Sequence, residues 1–243
     1  MLLLLLFRKQ KALIMNEKVY PQIKTFMPRQ RRLTGSRLNA FDQLWGTYGL
    51  VALSGAIDFS KTFGRNAPTV LEIGFGTGET LHEMAKNHPE WNFIGIEVYR
   101  PGVAALLAKL KIEPIDNIRI FAEDANTVIQ KCIPDNSLEK ILIFFPDPWP
   151  KRRHFKRRII NENFIKLIQH KLKAQGILHI ATDWEDYATH TLAVMQNQPG
   201  FVNLADNNQF VLRPSYRPLT KFEQRGIRHG HQIFDLMFQK ISD

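Results

Sequence analysis

The sequence predicts an α/β fold in which a mostly parallel central sheet carries helices on both faces and an antiparallel strand pair closes one edge. Three observations predict it. Residues 69–79 run from a continuous apolar stretch into alternating glycines and then into helix formers, the pattern of a buried strand, a tight turn and a helix start. From there to about residue 196, apolar runs alternate with helical patterns, as parallel strands and crossover helices do. The run 140–145, continuously apolar from Ile141, reads as a central strand buried on both faces.

Residues 1–66 precede this pattern and read as a basic N-terminal arm and a helix; residues 67–243 form the main domain. Lys24, Arg29, Arg31, Arg32 and Arg37 lie among Pro21, Pro28 and Gly35, the composition of a mobile basic arm. Residues 39–53 place Phe41, Leu44, Trp45, Tyr48 and Leu50 at near-helical spacing, which predicts a helix packed on the sheet. The first crossover helix spans 80–87 and ends before Pro89. Strand two is 92–97, and the helix 102–110 is led by Pro101, a favoured first-turn residue. Strand three covers 118–122, followed by a helix at 126–133 and strand four at 140–145. A helix at 161–172 turns Ile165, Leu167, Ile168 and Leu172 inward, strand five is 176–182, and a helix covers 187–196. The runs 201–204 and 232–239 supply the closing antiparallel pair.

Composition narrows the classes of function. The chain has 243 residues, 44% of them hydrophobic, enough for one domain with a sizeable core and no need of disulfides. Cys132 is the lone cysteine, so no internal bridge forms; a cytoplasmic protein is expected, with no metal site. Leu2 to Phe7 is apolar but too short to span a bilayer and has no preceding positive charge, so neither a membrane helix nor a signal peptide is expected. Met15 is a candidate alternative start. The excess of 33 Lys plus Arg over 23 Asp plus Glu gives a net charge of +10 and a pI near 9.8, pointing to a polyanionic partner.

Candidate site residues gather at the predicted strand ends. Gly74, Gly76 and Gly78 can take positive φ and let a ligand approach the backbone at a helix start. Their spacing departs from the G-x-G-x-x-G of dinucleotide binders, which disfavours a nicotinamide-dependent oxidoreductase. Glu97 ends the second strand about twenty residues past the glycines, where an acid can take both ribose hydroxyls. Asp124 follows the third strand, placed to accept from an adenine amino group, and Glu72 is placed to meet a ligand ammonium. These positions suit an adenosine, and with Glu72 they resemble the S-adenosylmethionine pocket of the class I methyltransferases.

Strand four runs into Pro146-Asp147-Pro148-Trp149-Pro150-Lys151. Three prolines stiffen this turn, holding the Asp147 carboxylate and offering the Trp149 ring either as a stacking face for a base or as core. Next come Lys151, Arg152, Arg153, His154, Phe155, Lys156, Arg157 and Arg158, six of the eight being Lys or Arg. A cationic strip of this kind beside a site would hold nucleic-acid phosphates. Asp183 ends strand five, and Thr220, Lys221, Phe222 and Glu223 mix a hydroxyl, a cation, an aromatic and an acid. Either Asp183 or Glu223 could accept from the N1–H and amino group of guanine.

With these motifs in view the chain resembles the bacterial tRNA (guanine-N7)-methyltransferases from about residue 29 to the carboxyl terminus. The specific matches are the proline-aspartate-proline-tryptophan turn at 146–149 and the threonine-lysine-phenylalanine-glutamate segment at 220–223; the glycine motif is shared by all class I methyltransferases. The resemblance implies a Rossmann-like class I methyltransferase fold for residues 67–243 and S-adenosyl-L-methionine as cofactor. It further implies tRNA as partner, no metal or membrane, and a monomer or homodimer. By the same resemblance Glu72, Glu97, Asp124 and Asp147 line the donor site, with Asp147 the catalytic candidate. Lys151, Asp183, Thr220, Lys221, Phe222 and Glu223 would bind the substrate, and Arg153, His154, Lys156, Arg157 and Arg158 would contact RNA. Phe155 and His229 depart from the family pattern, which has a polar and an aliphatic residue there. A methyltransferase for a small molecule or protein nitrogen, or an RNA-binding protein that keeps the fold without turnover, are the alternatives.

Overall fold

The computed structural model describes residues 24–26, 35–52, 55–207 and 209–241. Met15, Arg29, Arg31 and Arg32 lie outside them, as do the side chains of Lys221 and Phe222. Eight strands form one sheet: β1 (Gly49–Leu50), β2 (Thr69–Ile73), β3 (Asn92–Ile96), β4 (Ile118–Phe121), β5 (Leu138–Phe144), β6 (Leu172–Thr182), β7 (Phe201–Asn203) and β8 (Phe234–Lys240). Their order is β1-β4-β3-β2-β5-β6-β8-β7. All neighbours from β1 to β6 pair parallel, while β8 runs antiparallel to both β6 and β7. The predicted closing pair is thus present, with β8 inserted between β6 and β7.

The strands read as apolar runs because both sheet faces are covered. Alternate residues of a strand point to opposite faces. Leu71 and Ile73 of β2 join Ile141 and Ile143 of β5 in one cluster, with Phe164, Ile165 and Tyr187 from the helices on that side. Val70, Leu142 and Phe144 face the other cluster, where Leu81, Leu106 and Leu107 cover them.

The described helices are α1 (Ser36–Tyr48), α2 (Phe59–Phe63), α3 (Glu79–Asn87), α4 (Arg100–Ile112), α5 (Ala125–Lys131), α6 (Glu162–Lys171), α7 (Glu185–Gln196) and α8 (Lys221–Arg228). Local chemistry explains several starts. Pro101 sits in the first turn of α4; Asp124 Oδ1 accepts from Thr127 N at 3.1 Å to cap α5; Asn161 Oδ1 accepts from Phe164 N at 3.1 Å to cap α6. The two caps each satisfy a backbone donor that the helix itself leaves free, and the proline has no such donor to satisfy.

The sequence reading differs from the structure in a few places. The predicted helix at 39–53 starts earlier and ends at Tyr48, because the chain turns extended at Gly49 and pairs its next residues with β4. The short α2, capped by Asp58, was not anticipated. Neither was α8, which is short and has just two large apolar residues, Phe222 and Ile227. The basic run forms a 3₁₀ helix, Arg152–Arg157.

The chain builds outward from β2 through β3 to β4, then returns to place β5 on the other side of β2. The strand order therefore reverses between β2 and β5, and the crevice outside their carboxyl ends is where such a sheet binds its ligand.

Candidate active site

At the end of β2 the chain bends through Gly74, Gly76 and Gly78. Gly76 has φ of 59° and Gly78 of 74°, a region that side chains disfavour; at Gly78 a Cβ would also lie 2.8 Å from Leu106. The bend is held from β3. The N–H of Gly76 donates to Glu97 Oε2 at 2.8 Å, and the N–H of Tyr99 donates to Glu97 Oε1 at 2.8 Å. Burial raises the Glu97 pKa, with these N–H groups pulling against it.

Glu72 is 3% exposed, and its Oε2 has no hydrogen-bond partner among the described residues. Burial, with a smaller push from the charge of Glu97, lifts its pKa to about 8. A buried carboxyl oxygen without a donor is costly. This one borders an open cleft, so a cationic group of a ligand would satisfy it. The residues therefore fit the predicted donor: Glu72 for an ammonium, Glu97 for ribose hydroxyls, Asp124 for an adenine amino group.

The cleft has a volume of about 1450 Å³, and Glu72, Glu97, Asp124 and Asp147 all line it. A single ligand commonly needs roughly 300–1,000 Å³, so there is room for a second reactant. Asp147 is exposed in a turn whose backbone is held in unusual conformations on either side: φ is 50° at Phe145 and 47° at Trp149. Positive φ in bulky side chains costs free energy, which the surrounding structure must offset. Thr220 and Arg225 bring α8 to the rim, and Thr25, Phe26 and Arg37 bring the N-terminal segment there.

Several predicted substrate and RNA residues are placed differently from one another. Lys151, Arg153 and Lys156 are exposed and His154 partly so, forming a cationic surface directly after the Asp147 turn. Thr220 caps α8, its Oγ1 accepting from Glu223 N at 3.0 Å. Asp183 ends β6, next to β5, and lies beside α8 rather than in the lining of the cleft. Lys221 and Phe222 belong to α8, with side chains outside the described residues.

Four residues expected to meet base or RNA are packed within the fold, which corrects the expectation for Arg158. Arg158, expected on the RNA surface, is 1% exposed; its Nε donates to Pro148 O at 3.0 Å and its guanidinium pairs with Asp186. Arg157 is half-buried, stacked 3.9 Å from the Trp149 ring centroid and bonded to the carbonyls of Lys24 and Phe26. Trp149 is 7% exposed, with Nε1 donating to Thr25 O at 3.1 Å. Core packing has therefore claimed the ring that was one candidate for stacking on a base. Glu223 is 2% exposed, and both its oxygens accept from Arg217.

Sequence reasoning missed the partners of Glu223. Arg217 is indistinguishable from its neighbours in the basic stretch 213–228. A signal was available at Asp235 and His179, each a polar residue flanked on both sides by apolar ones, which calls for a buried partner. Among the described residues no cluster of His, Cys, Asp and Glu could hold a metal, and no helix is long and apolar enough to cross a membrane.

A doubly wound sheet with its glycine bend, three acids at successive strand ends and a fourth in the facing turn define a class I S-adenosylmethionine-dependent methyltransferase. The comparisons agree. A family model described as "Putative methyltransferase" matches residues 66–236. The chain is 51% identical to the tRNA (guanine-N(7)-)-methyltransferase of Pectobacterium atrosepticum, over 93% of this chain and 95% of that one. It is 50% identical to the same-named protein of Shewanella amazonensis, over 90% and 92%. The fold is similar to that of the 16S rRNA methyltransferase KamB, with a TM-score of 0.55 at 13% identity, over 87% of this chain and 97% of that one. The chain belongs to the bacterial tRNA (guanine-N7)-methyltransferase family.

Proposed function

We propose that the protein transfers a methyl group from S-adenosylmethionine to N7 of a guanine in the variable loop of tRNA, acting in the cytoplasm. The observation that carries this reading is one juxtaposition. The acid-lined cleft holding Glu72, Glu97 and Asp124 also holds Asp147, and the turn bearing Asp147 leads directly into the exposed cations Lys151, Arg153 and Lys156.

Bound in the cleft, the donor supplies an electrophilic sulfonium methyl. Guanine N7 carries an in-plane lone pair and no proton, so no residue has to act as a general base before attack. The work left to the protein is orientation and charge placement. Glu72, Glu97 and Asp124 fix the donor along the strand ends. Asp147, held in a stiff turn, sets negative charge beside the purine as it becomes positive and limits its movement. Lys151, Arg153 and Lys156 hold phosphates without reading sequence.

Transfer of labelled methyl groups to unmodified tRNA, followed by chain cleavage at 7-methylguanine, tests the reading. Cleavage at one variable-loop position is the expected result. Transfer that is indifferent to salt and to ribonuclease would instead favour a small-molecule or protein substrate.

A further inference from the structure

Residues 24–26 come from outside the sheet and its helices, yet they are fixed to the turn that carries Asp147. Trp149 Nε1 donates to Thr25 O at 3.1 Å. Arg157 donates from Nε to Lys24 O at 3.0 Å and from Nη2 to Phe26 O at 3.2 Å, while its guanidinium lies 3.9 Å from the Trp149 ring centroid. Three successive carbonyls are thus held by two side chains that are themselves stacked. Charge-assisted hydrogen bonds of this kind are stronger than neutral ones. They grip backbone alone, so the path of the segment is set without using its side chains.

What the grip delivers to the cleft is Phe26. Thr25 and Phe26 line it together with Pro146 and Asp147, and Phe26 is half-buried. The other aromatic residues of that lining are engaged elsewhere. Phe75 and Phe144 are 5% and 7% exposed, Phe145 packs on the same apolar cluster, and Tyr99 follows Glu97 on the side of the donor ribose. Lys24 is exposed, and its Nζ stands 5.8 Å from the Phe26 ring centroid, near the outer limit of a cation–π contact, so it does not close the ring off. Asp124, at the adenine end of the donor, follows β4, and the sheet order β4-β3-β2-β5 separates that strand from the β5 turn by about 14 Å at ordinary strand spacing. A ring held against the β5 turn is therefore at the reacting end of the cleft.

A guanine that gains a methyl group at N7 gains a positive charge. The face of an aromatic ring carries negative potential and attracts such a charge. The contact strengthens as transfer proceeds, so it raises the rate as well as the affinity. We propose that Phe26 stacks on the target guanine and restrains its plane during transfer, and that Trp149 and Arg157 are positioning residues that hold the ring there through the backbone of residues 24–26. The assignment rests on the guanine-N7 reading above. It gives Arg157 a task other than neutralising a phosphate.

The test measures methyl transfer to unmodified tRNA together with the affinity for S-adenosylmethionine. Phe26→Ala should lower kcat/KM by about 5- to 150-fold, the loss expected when one base–aromatic stack is removed, with kcat reduced and donor affinity unchanged. Phe26→Leu keeps most of the apolar bulk but has no aromatic face, and should lose nearly as much; Phe26→Tyr should restore transfer. Arg157→Ala should lower transfer by a similar factor without altering the slope of tRNA affinity against salt, and Phe26→Ala added to it should cost little more. Wild-type transfer in Phe26→Leu, weakened donor binding in Phe26→Ala, a shallower salt slope in Arg157→Ala, or losses that add in full when the two substitutions are combined overturn the assignment. Failure of the wild-type protein to yield 7-methylguanine in tRNA would defeat the underlying reading instead.

Discussion

Arg158 donates from Nε to the carbonyl oxygen of Pro148 across 3.0 Å, so a buried cation braces the turn that carries Asp147. The same guanidinium lies 3.7 Å from the Phe155 ring centroid and 5.1 Å from that of Tyr187. On the opposite flank, Trp149 is packed under Arg157. The turn therefore owes its rigidity to prolines in its own sequence and to a cation ten residues further on. Positive φ at Phe145 and Trp149 persists because these contacts over-determine the backbone. Phe155 serves as a platform for this cation.

Loss of the brace should show as stability rather than RNA affinity. Arg158→Ala removes a charged hydrogen bond and a packed side chain, and is expected to destabilise the fold by roughly 2–3 kcal/mol, read as a lower midpoint in urea. The salt dependence of tRNA binding should be unchanged. A shallower salt dependence with intact stability would place Arg158 on the RNA after all.

Exposed cations should act in the opposite way. Arg153→Ala and Lys156→Ala are each expected to weaken tRNA binding at all sequences and to reduce the slope of log affinity against log salt by about one. Unfolding midpoints should hardly move, because both side chains are solvated. Filter binding or anisotropy at several salt concentrations measures the slope.

Glu72 makes the free protein sensitive to pH. Its pKa in the fold, about 8, stands above its ordinary value of 4.5, so the fold favours the protonated acid. That contribution is fully present below about pH 4.5 and is lost as pH rises through about 8. Relative to Glu72→Gln, the wild-type protein should lose stability across this window, on the order of a few kcal/mol. Urea unfolding at stepped pH measures the difference. Binding of the donor at pH 7 should release a proton from Glu72, detected by calorimetry in buffers of different ionisation enthalpy, and the variant should release none from this position.

Asp147 carries the strongest expectation for turnover. Asp147→Ala should lower kcat for tRNA methylation by about 10²- to 10³-fold, the range seen when one preorganised electrostatic contact is removed from a reacting centre. The fold should be kept, since the side chain is exposed. Near-normal transfer with donor binding intact would remove Asp147 from the mechanism.

Features legible in the sequence were those whose cause lies within a few residues. The apolar run into Gly74, Gly76 and Gly78 marks a buried strand and a bend by its own pattern. Glu97 and Asp124 could be placed because each closes a strand whose length and composition announce its end. Even the stiffness around Asp147 is visible in three prolines.

What the sequence could not decide was which charged and aromatic residues stay in water. Arg153 and Arg158 occupy one basic run, yet the first is exposed and the second is buried on Pro148 and Asp186. Asp183 and Glu223 read alike in the sequence, yet the first keeps 34% side-chain exposure and the second binds Arg217 through both oxygens. Local pattern determined the sheet, the bend and the acids at the strand ends. The tertiary structure alone decided the fate of each surface-type residue, because burial of a charge depends on partners that folding brings from distant positions, as His179 and Asp235 meet across 56 residues.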